Sequence, residues 1–415
     1  MRECGIIVVG AGPAGMAAAL ALAESGRQVC LAGPPPRPDD RRTTAIMAPG
    51  MAFLASLGVT FEAGEAAPLR VMRIVDATSR LVRSPTVAFR SAEIGEEAFG
   101  WNITNTVLNR RLSEAVAKSG AIERIEKPVL AWATDPEAVT ITLDGGEVLV
   151  AKCAVAADGR SSGGREAAGI RVHSRPLPQV ALVTTFRHAI THEDTSTELH
   201  TEHGPCTQVP LADPNRSSLV WVTSPDEADL LASLDEASFC LAVERRMHSM
   251  LGKVSDPGPR QTWPLSTGLP ARFADKRIAL VGESAHVFPP IGAQGLNLGL
   301  RDAKDLVSCL RNASDPGAPD VLNAYSARRR PDVLARAGAV NALNTALLSD
   351  FLPAQMARSA GLGLLRALSP LRSFFMREGM APGSGFRRMG TEIRSLGKEV
   401  GGKISARDKQ QQSGH

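Results

Sequence analysis

The chain has 415 residues, 43% of them apolar and 22% charged, with a formal net charge of +4. That length buries a large core and divides naturally into two domains, while so small a net charge gives a nucleic-acid partner no footing. Six scattered cysteines (4, 30, 153, 206, 240, 309) show neither a CxxC nor a paired-histidine spacing, which argues against a disulfide framework or a metal site and for a reducing compartment.

The first apolar run, Ile6 to Val9, reads as a buried strand that turns into Gly10-x-Gly12-x-x-Gly15 and a helix through Glu24. Gly10 permits the tight turn, Gly12 the approach to a pyrophosphate and Gly15 the close packing of helix on strand. Gly26 ends the helix, and residues 28–32 make a second strand. A nucleotide site of this kind expects a carboxylate there for the ribose hydroxyls, but Leu31-Ala32-Gly33-Pro34 offers none. The uncharged stretch from Gly5 to Ala23 imitates a membrane span. Its three glycines and Pro13 interrupt it where a nucleotide loop needs them, so the reading is a soluble, cytoplasmic chain without a cleaved leader.

A proline-rich loop follows, then Arg41-Arg42-Thr43-Thr44 and a helix over about 49–57. Arg42 stands where it can reach a phosphate or a bound cofactor. Residues 69–90 alternate like a hairpin of exposed-face strands. The segment 102–117 starts as a strand, turns at Asn105 and continues as an amphipathic helix with Leu108, Leu112 and Val116 on one face. Three antiparallel strands (126–132, 139–143, 147–150) turn at Gly145-Gly146. The strand from Lys152 ends on Asp158-Gly159, followed by polar helix-capping candidates. From 176 to 264 longer β-rich runs (180–186, 207–211, 218–222) and one helix near 239–250 read as a second, mostly antiparallel domain inserted in the first.

The apolar run Ile278 to Val281 leads into Gly282-Glu283, the loop Pro289-Pro290-Ile291-Gly292-Ala293-Gln294-Gly295 and a helix from about Leu296. The carboxylate can accept from sugar hydroxyls, the free N–H groups of the helix start face an anion, and Gly292 and Gly295 let the backbone approach a flat ring. Asp158 and Glu283, both at strand tips, read as ligands of one dinucleotide. Helices over 325–348 and 351–368, broken at Pro353 and Pro370, close the chain. From residue 358 on, eleven basic side chains face four acidic ones, a net +7 that leaves −3 for the rest. A basic tail on an acidic body points to an anionic partner, a membrane surface or a protein.

The expected fold is therefore α/β: a Rossmann-like nucleotide domain (1–68, 101–172, 276–330), an inserted, mostly antiparallel substrate domain (69–100, 173–275) and C-terminal helices with a basic tail (331–415). Gly10-Ala-Gly-Pro-Ala-Gly15, Ala157-Asp158-Gly159-Arg160-Ser161 and the run from Gly282 through Asn297-Leu-Gly-Leu-Arg-Asp302 resemble the FAD-dependent aromatic hydroxylases of the para-hydroxybenzoate hydroxylase type. Asn297 to Asp302, together with Arg42-Thr-Thr-Ala and Ser218-Leu-Val-Trp221, resemble the ubiquinone-biosynthesis branch of that family, and the resemblance spans nearly the whole chain. Two departures are Glu283 and Ala293, where the family usually has Asp and Gly; with the missing acid after the second strand they bear on how tightly FAD is held.

The resemblance implies noncovalent FAD, with Gly10, Gly12, Gly15, Arg42, Asn105, Asp158, Gly159, Glu283, Pro290, Gly292, Gln294, Gly295, Leu296 and Asn297 as its ligands. It also implies O2, electrons from NAD(P)H or a partner protein, and hydroxylation of a polyprenylated phenol within a ubiquinone-synthesis assembly at the membrane's inner face. His286 is the candidate for proton transfer, with ordering of its loop as the competing role. Alternatives are a hydroxylase of small polar aromatics, a prenyl reductase of the same fold, and a non-catalytic member of the assembly. An apolar tunnel is expected against Val180 to Val183, Leu211 and Leu219 to Trp221, with Arg187 or His188 the only cation near it.

Overall fold

The computed structural model describes residues 1–38, 40–79, 83–290, 294–348, 352–380 and 384. Gly292, Ala293, Phe351 and the basic segment 385–415, all given roles above, lie outside the described residues.

The central layer is a six-stranded sheet in the order Ala274–Asp275, Ile278–Leu280, Ala154–Ala156, Ile6–Val9, Val29–Ala32, Ile122–Ile125. Every pairing is parallel except that of the short edge strand Ala274–Asp275. The three middle strands are apolar throughout and wholly buried, as a parallel sheet covered on both faces requires. The helix Pro13–Glu24 starts with proline at its first turn, where no N–H is missed, and packs on the helices Gln294–Leu310 and Asn105–Lys118. Ala17, Ala18, Ala19 and Ala21 are buried on its successive sides, which explains why no amphipathic stripe marks it in the sequence.

A second, four-stranded sheet holds Val129–Thr134, Val139–Leu143 and Val148–Ala151, with Arg2–Glu3 added in parallel on its edge. Gly145 and Gly146 make its turn with φ of 88° and 81°, the left-handed pair that a two-residue hairpin turn demands. A three-stranded sheet of Thr43–Met47, Gly100–Thr104 and Ala66–Pro68 stands beside the first layer.

The inserted layer is an eight-stranded sheet around the long strand Val172–His188, which pairs with Arg216–Thr223, Val254–Ser255 and Gln261–Pro270. Beyond Arg216–Thr223 lie Gly204–Pro210, Thr195–Thr201, and the hairpin Val71–Asp76 with Val87–Arg90, which joins through a parallel pairing with Thr195–Thr201. The sequence reading missed Thr195–Thr201, whose Thr-Ser-Thr-Glu-Leu-His-Thr carries no apolar alternation because polar side chains are buried there.

Two helices cover one face of this sheet where one was expected. Pro225–Ser233 precedes Glu236–Arg246; Ser224 caps it by accepting from the Glu227 N–H, and Pro225 and two acids occupy its first turn. The capping signal is in the sequence, but nine residues with only Ala228 and Leu231 buried leave almost no stripe to read. The C-terminal helices are Pro319–Leu348, which runs through Pro331, then Leu352–Ala367 and Ser369–Met380.

Candidate flavin site

The three middle strands of the central sheet end side by side, at Gly10, at Ala157-Asp158 and at Gly282-Glu283. Their last rungs are shared: Ala157 donates its N–H to the Val9 carbonyl (2.8 Å), and Val281 donates to Ala156 (3.0 Å). Gly10 has φ of 109°, and a Cβ there would collide with the Ala157 carbonyl; a Cβ at Gly15 would collide with the Gly10 carbonyl. Packing alone demands these two glycines. Gly12 is different, since a Cβ there would meet nothing within 4 Å. It opens on free space before a helix start that has neither an acid in its first turn nor a side-chain cap, so the first N–H groups are left to face an anion.

The two acids are held differently. One Asp158 oxygen accepts from the Gly164 N–H (3.1 Å), while the other is buried with no partner. Gly159 follows it with φ of 84°. A buried acceptor left unpaired calls for a donor from outside the chain, which a hydroxyl-bearing nucleotide supplies. Glu283 is exposed and accepts from Arg160 at 3.1 and 3.3 Å. Such a surface pair is worth about 1 kcal/mol or less, so turning Glu283 to a sugar hydroxyl costs little. Its loop is nevertheless fixed from below, because Gly282 donates its N–H to Asp302 (3.0 Å).

Arg42 is braced by a chain of side chains. Its guanidinium grips Asp40 at 2.7 and 2.8 Å, Asn105 donates to the same carboxylate (2.9 Å), and Thr44 donates to Asn105 (2.7 Å). The bond to Asp40 raises the pKa of Arg42 despite burial. Burial works against ionisation of Asp40, but the bonds from Arg42 and Asn105 outweigh it and hold its carboxyl below its ordinary value. Arg42 also lies over the Trp263 ring, 4.8 Å from its centre, bridging to the inserted sheet. Asn105 thus acts on the site through Asp40 and Arg42.

The loop helix is tied back in the same way. Asn297 accepts from the Met47 N–H (2.9 Å) and donates to the Ala45 carbonyl (2.8 Å), clamping the strand Thr43–Met47 to the helix start. Gln294 accepts from Arg336 (2.8 Å). Leu296 packs on the main core, whereas Pro290 and Gly295 are exposed, and a Cβ at Gly295 would meet nothing.

His286 is placed away from these groups. It is buried beneath the loop, with Nε2 2.7 Å from Asp302 and its ring stacked on Phe288. Asp302 also accepts from Arg329 (2.7 Å), whose other nitrogens reach Asp305 (2.8 Å) and Asp332 (2.9 Å). Burial opposes ionisation of Asp302, yet the charges of His286 and Arg329 and the bonds from His286 and Gly282 outweigh it and keep its pKa below normal. This arrangement favours the ordering role for His286.

Two features escaped the sequence reading. Beside the end of Val29–Ala32, where an acid was expected, Arg124 donates to the Leu31 and Ile125 carbonyls (3.2 and 2.7 Å), and its Nη2 is buried with no partner. An unused donor stands where the ribose acceptor is missing; only the pairing of Leu31 with Arg124 across the sheet reveals it. The other is Glu198 and His200, 2.8 Å apart and nearly buried on the inserted sheet. Their i, i+2 spacing puts both on one face, but that signal is silent unless the strand is recognised.

That face is turned toward Arg42. Pairing places Ala181, Val183, Ser218, Val220, Val222, Trp263 and Glu198 on it, and Thr43 donates to Ser218 across the gap (2.9 Å). Ala181, Val222 and Leu265 form a buried apolar cluster with Val183 and Val220. Leu182, Leu219 and Trp221, expected to line the tunnel, point the other way into the core under the two helices. Arg187 is exposed on Asp213 (2.7 Å), and His188 bonds Ser217 and the Ile190 carbonyl.

The open cradle at Gly12 and the unpaired oxygen of Asp158 fit an adenine dinucleotide whose pyrophosphate lies at the helix start. Residues 3–337 match the family model described as an FAD binding domain. The chain is 34% identical to ubiquinone hydroxylase UbiL of Rhodospirillum rubrum over 90% of this chain and 89% of that one. It is 30% identical to the 3-demethoxyubiquinol 3-hydroxylase of Escherichia coli over 86% and 93%. In fold it is similar to p-nitrophenol 4-monooxygenase PnpA from Pseudomonas putida, with a TM-score of 0.71 and 21% identity over 95% and 99% of the two chains. The chain belongs to the FAD-dependent aromatic hydroxylases, in the branch of the ubiquinone-biosynthesis hydroxylases.

Proposed function

We propose that this enzyme hydroxylates the ring of a polyprenylated phenol, with O2 as co-substrate and electrons from NAD(P)H or a partner protein. The observation that carries the substrate class is the sheet face turned toward Arg42: an apolar wall of Ala181, Val183, Val220, Val222 and Leu265, with no buried arginine in it and with the facing Arg42 already taken by Asp40. A small aromatic carboxylate would need such a cation, while an isoprenoid tail needs only the wall. The names of the two relatives support the same class.

Bound FAD supplies the redox chemistry that activates oxygen. The chain's own residues do the rest. Gly12 and the helix start receive the pyrophosphate, Asp158 accepts from a cofactor hydroxyl, Arg42 presents a fixed positive charge, and the sheet face excludes water from the ring. Glu198 and His200, bonded to each other on that same face, would take the phenolic proton.

The test is turnover in detergent, with FAD and reductant, of one phenol carrying zero, one or two isoprene units. Each buried methylene contributes about 0.8 kcal/mol, so kcat/KM should rise roughly tenfold or more per unit. Equal turnover of the tail-free phenol would overturn the substrate class.

The C-terminal helices support a peripheral membrane contact, with one change to the sequence reading. Arg372 binds Glu93 (2.7 Å) and Arg377 the Ile94 carbonyl (2.8 Å), so these two cations serve the fold rather than lipid. Leu364, Leu368 and Phe375 remain 52%, 48% and 51% exposed and supply apolar surface. No helix among the described residues is long and apolar enough to cross a membrane.

A further inference from the structure

The ionic cluster that holds His286 reaches a cavity on its outer side. About 240 Å³ in volume, the cavity lies between the helices Ala48–Ser56, Gln294–Leu310 and Pro319–Leu348 and the end of Ser369–Met380. One wall is cationic, made by Arg301, Lys304, Arg328 and Arg336; the other is apolar, made by Met47, Pro49, Phe53, Leu300 and Met380. Among the described residues Asp305 is the one carboxylate lining it, and Arg328 and Arg329 already take its oxygens (2.7 and 2.8 Å). Asp332, just beneath, is shared among Arg329, Arg301 and Arg336 at 2.9, 3.2 and 3.2 Å.

The cations are not all satisfied. Arg301 stands 3.2 Å from Asp332 through Nε without hydrogen-bond alignment, and its Nη2 is buried with no partner. Burial, and then the charge of Arg336, push its pKa down to about 10. Lys304 is exposed and has no ion pair among the described residues. Among the described residues five cations here, Arg301, Lys304, Arg328, Arg329 and Arg336, meet three carboxylates, Asp302, Asp305 and Asp332. Buried guanidinium donors without acceptors are costly, and a bound anion removes that cost.

We propose that this cavity binds a small carboxylate with an apolar body, its head on Arg301 and Lys304 and its body against Phe53, Leu300 and Met380. Arg301 and Lys304 together offer charge-assisted donors to a carboxylate's two oxygens, and the apolar wall selects against a bare inorganic anion. The ligand also touches the back of the flavin loop. Gln294 and Asn297 line the same cavity, Gln294 is held by Arg336, and Asn297 clamps Ala45 and Met47. Occupancy therefore stiffens the helix start that faces FAD, and the two ligands tighten each other's binding.

The experiment is calorimetric titration of the FAD-bound enzyme with benzoate at constant ionic strength, alongside inorganic phosphate. We expect one benzoate site, weakened about fivefold by Lys304→Met and at least tenfold by Arg301→Gln, with the flavin spectrum intact in both variants. Lys304 is exposed and unpaired, so its variant folds even if the arginine variant does not. Absence of benzoate binding, an affinity unchanged by Lys304→Met, or phosphate binding as tightly as benzoate would each overturn the proposal.

Discussion

Replacing Asp302 by asparagine removes the charge on which the site's underside is built. The carboxylate is wholly buried and accepts from Gly282 (3.0 Å), His286 (2.7 Å) and Arg329 (2.7 Å). Asparagine keeps the shape but turns an N–H₂ group toward one of those donors. Breaking a buried charged pair from one side costs about 3–5 kcal/mol, and Arg329 keeps Asp305 and Asp332, so about 3 kcal/mol is expected. With a urea m-value of about 3 kcal/mol/M, the midpoint of the apoprotein, followed by tryptophan fluorescence, should fall by about 1 M. FAD affinity should fall as well, roughly five- to thirtyfold, because the Gly282-Glu283 turn loses its anchor.

The pH dependence has a definite sign. The folded pKa of Asp302 is depressed, so its stabilisation is complete above the unfolded carboxyl value of about 3.9 and is lost as pH falls through the folded value. The gap between wild type and Asp302→Asn should stay flat from about pH 5 to 8 and close only in acid. A cycle with Arg329→Met should show coupling above about 1 kcal/mol. An unchanged midpoint, or additive effects in that cycle, would refute the reasoning.

Gly12→Val should leave the apoprotein's stability within about 1 kcal/mol, since a Cβ there meets nothing within 4 Å, yet abolish FAD binding by fluorescence titration. Arg124→Leu should weaken FAD about five- to fiftyfold but riboflavin hardly at all, because the lost donor stands beside the end of Val29–Ala32, where the adenosine ribose is expected; equal losses would remove Arg124 from that role. Serine at Leu364, Leu368 and Phe375 together should reduce co-sedimentation with anionic vesicles at least tenfold without changing turnover of a soluble phenol, and unchanged sedimentation would sink the membrane contact.

The central strands were legible because burial on both faces leaves uninterrupted apolar runs, and the glycine loop because only glycine fits two of its three positions. Side-chain direction on the inserted sheet was not. Val180 to Val183 read as one apolar stretch, but strand alternation sends Leu182 to the helices and Ala181 and Val183 to the face turned toward Arg42. The partners of Asn297 lie some 250 residues earlier, and no local pattern reports a hydrogen bond that exists only after the sheets are stacked. In sequence His286 follows Glu283 by three residues, which leaves proton transfer and ordering of the loop both open. Its true neighbour, Asp302, is one face of a helix that a linear reading places sixteen residues away.

The interleaving of the two sheets governs when the enzyme can first hold its cofactor during synthesis. Val71–Asp76 pairs with Thr195–Thr201, which is made more than a hundred residues later, so the inserted sheet waits for its own middle. The central sheet waits longer, because its third middle strand, Ile278–Leu280, is made after the whole insertion. Until about residue 302 has left the ribosome, neither the Glu283 turn nor its Asp302 anchor exists, and the Gly10–Gly15 loop faces only half a pocket. Pairings of such long range also close slowly. FAD is therefore a late ligand, and for most of its synthesis the nascent chain exposes apolar strands that the finished sheets bury.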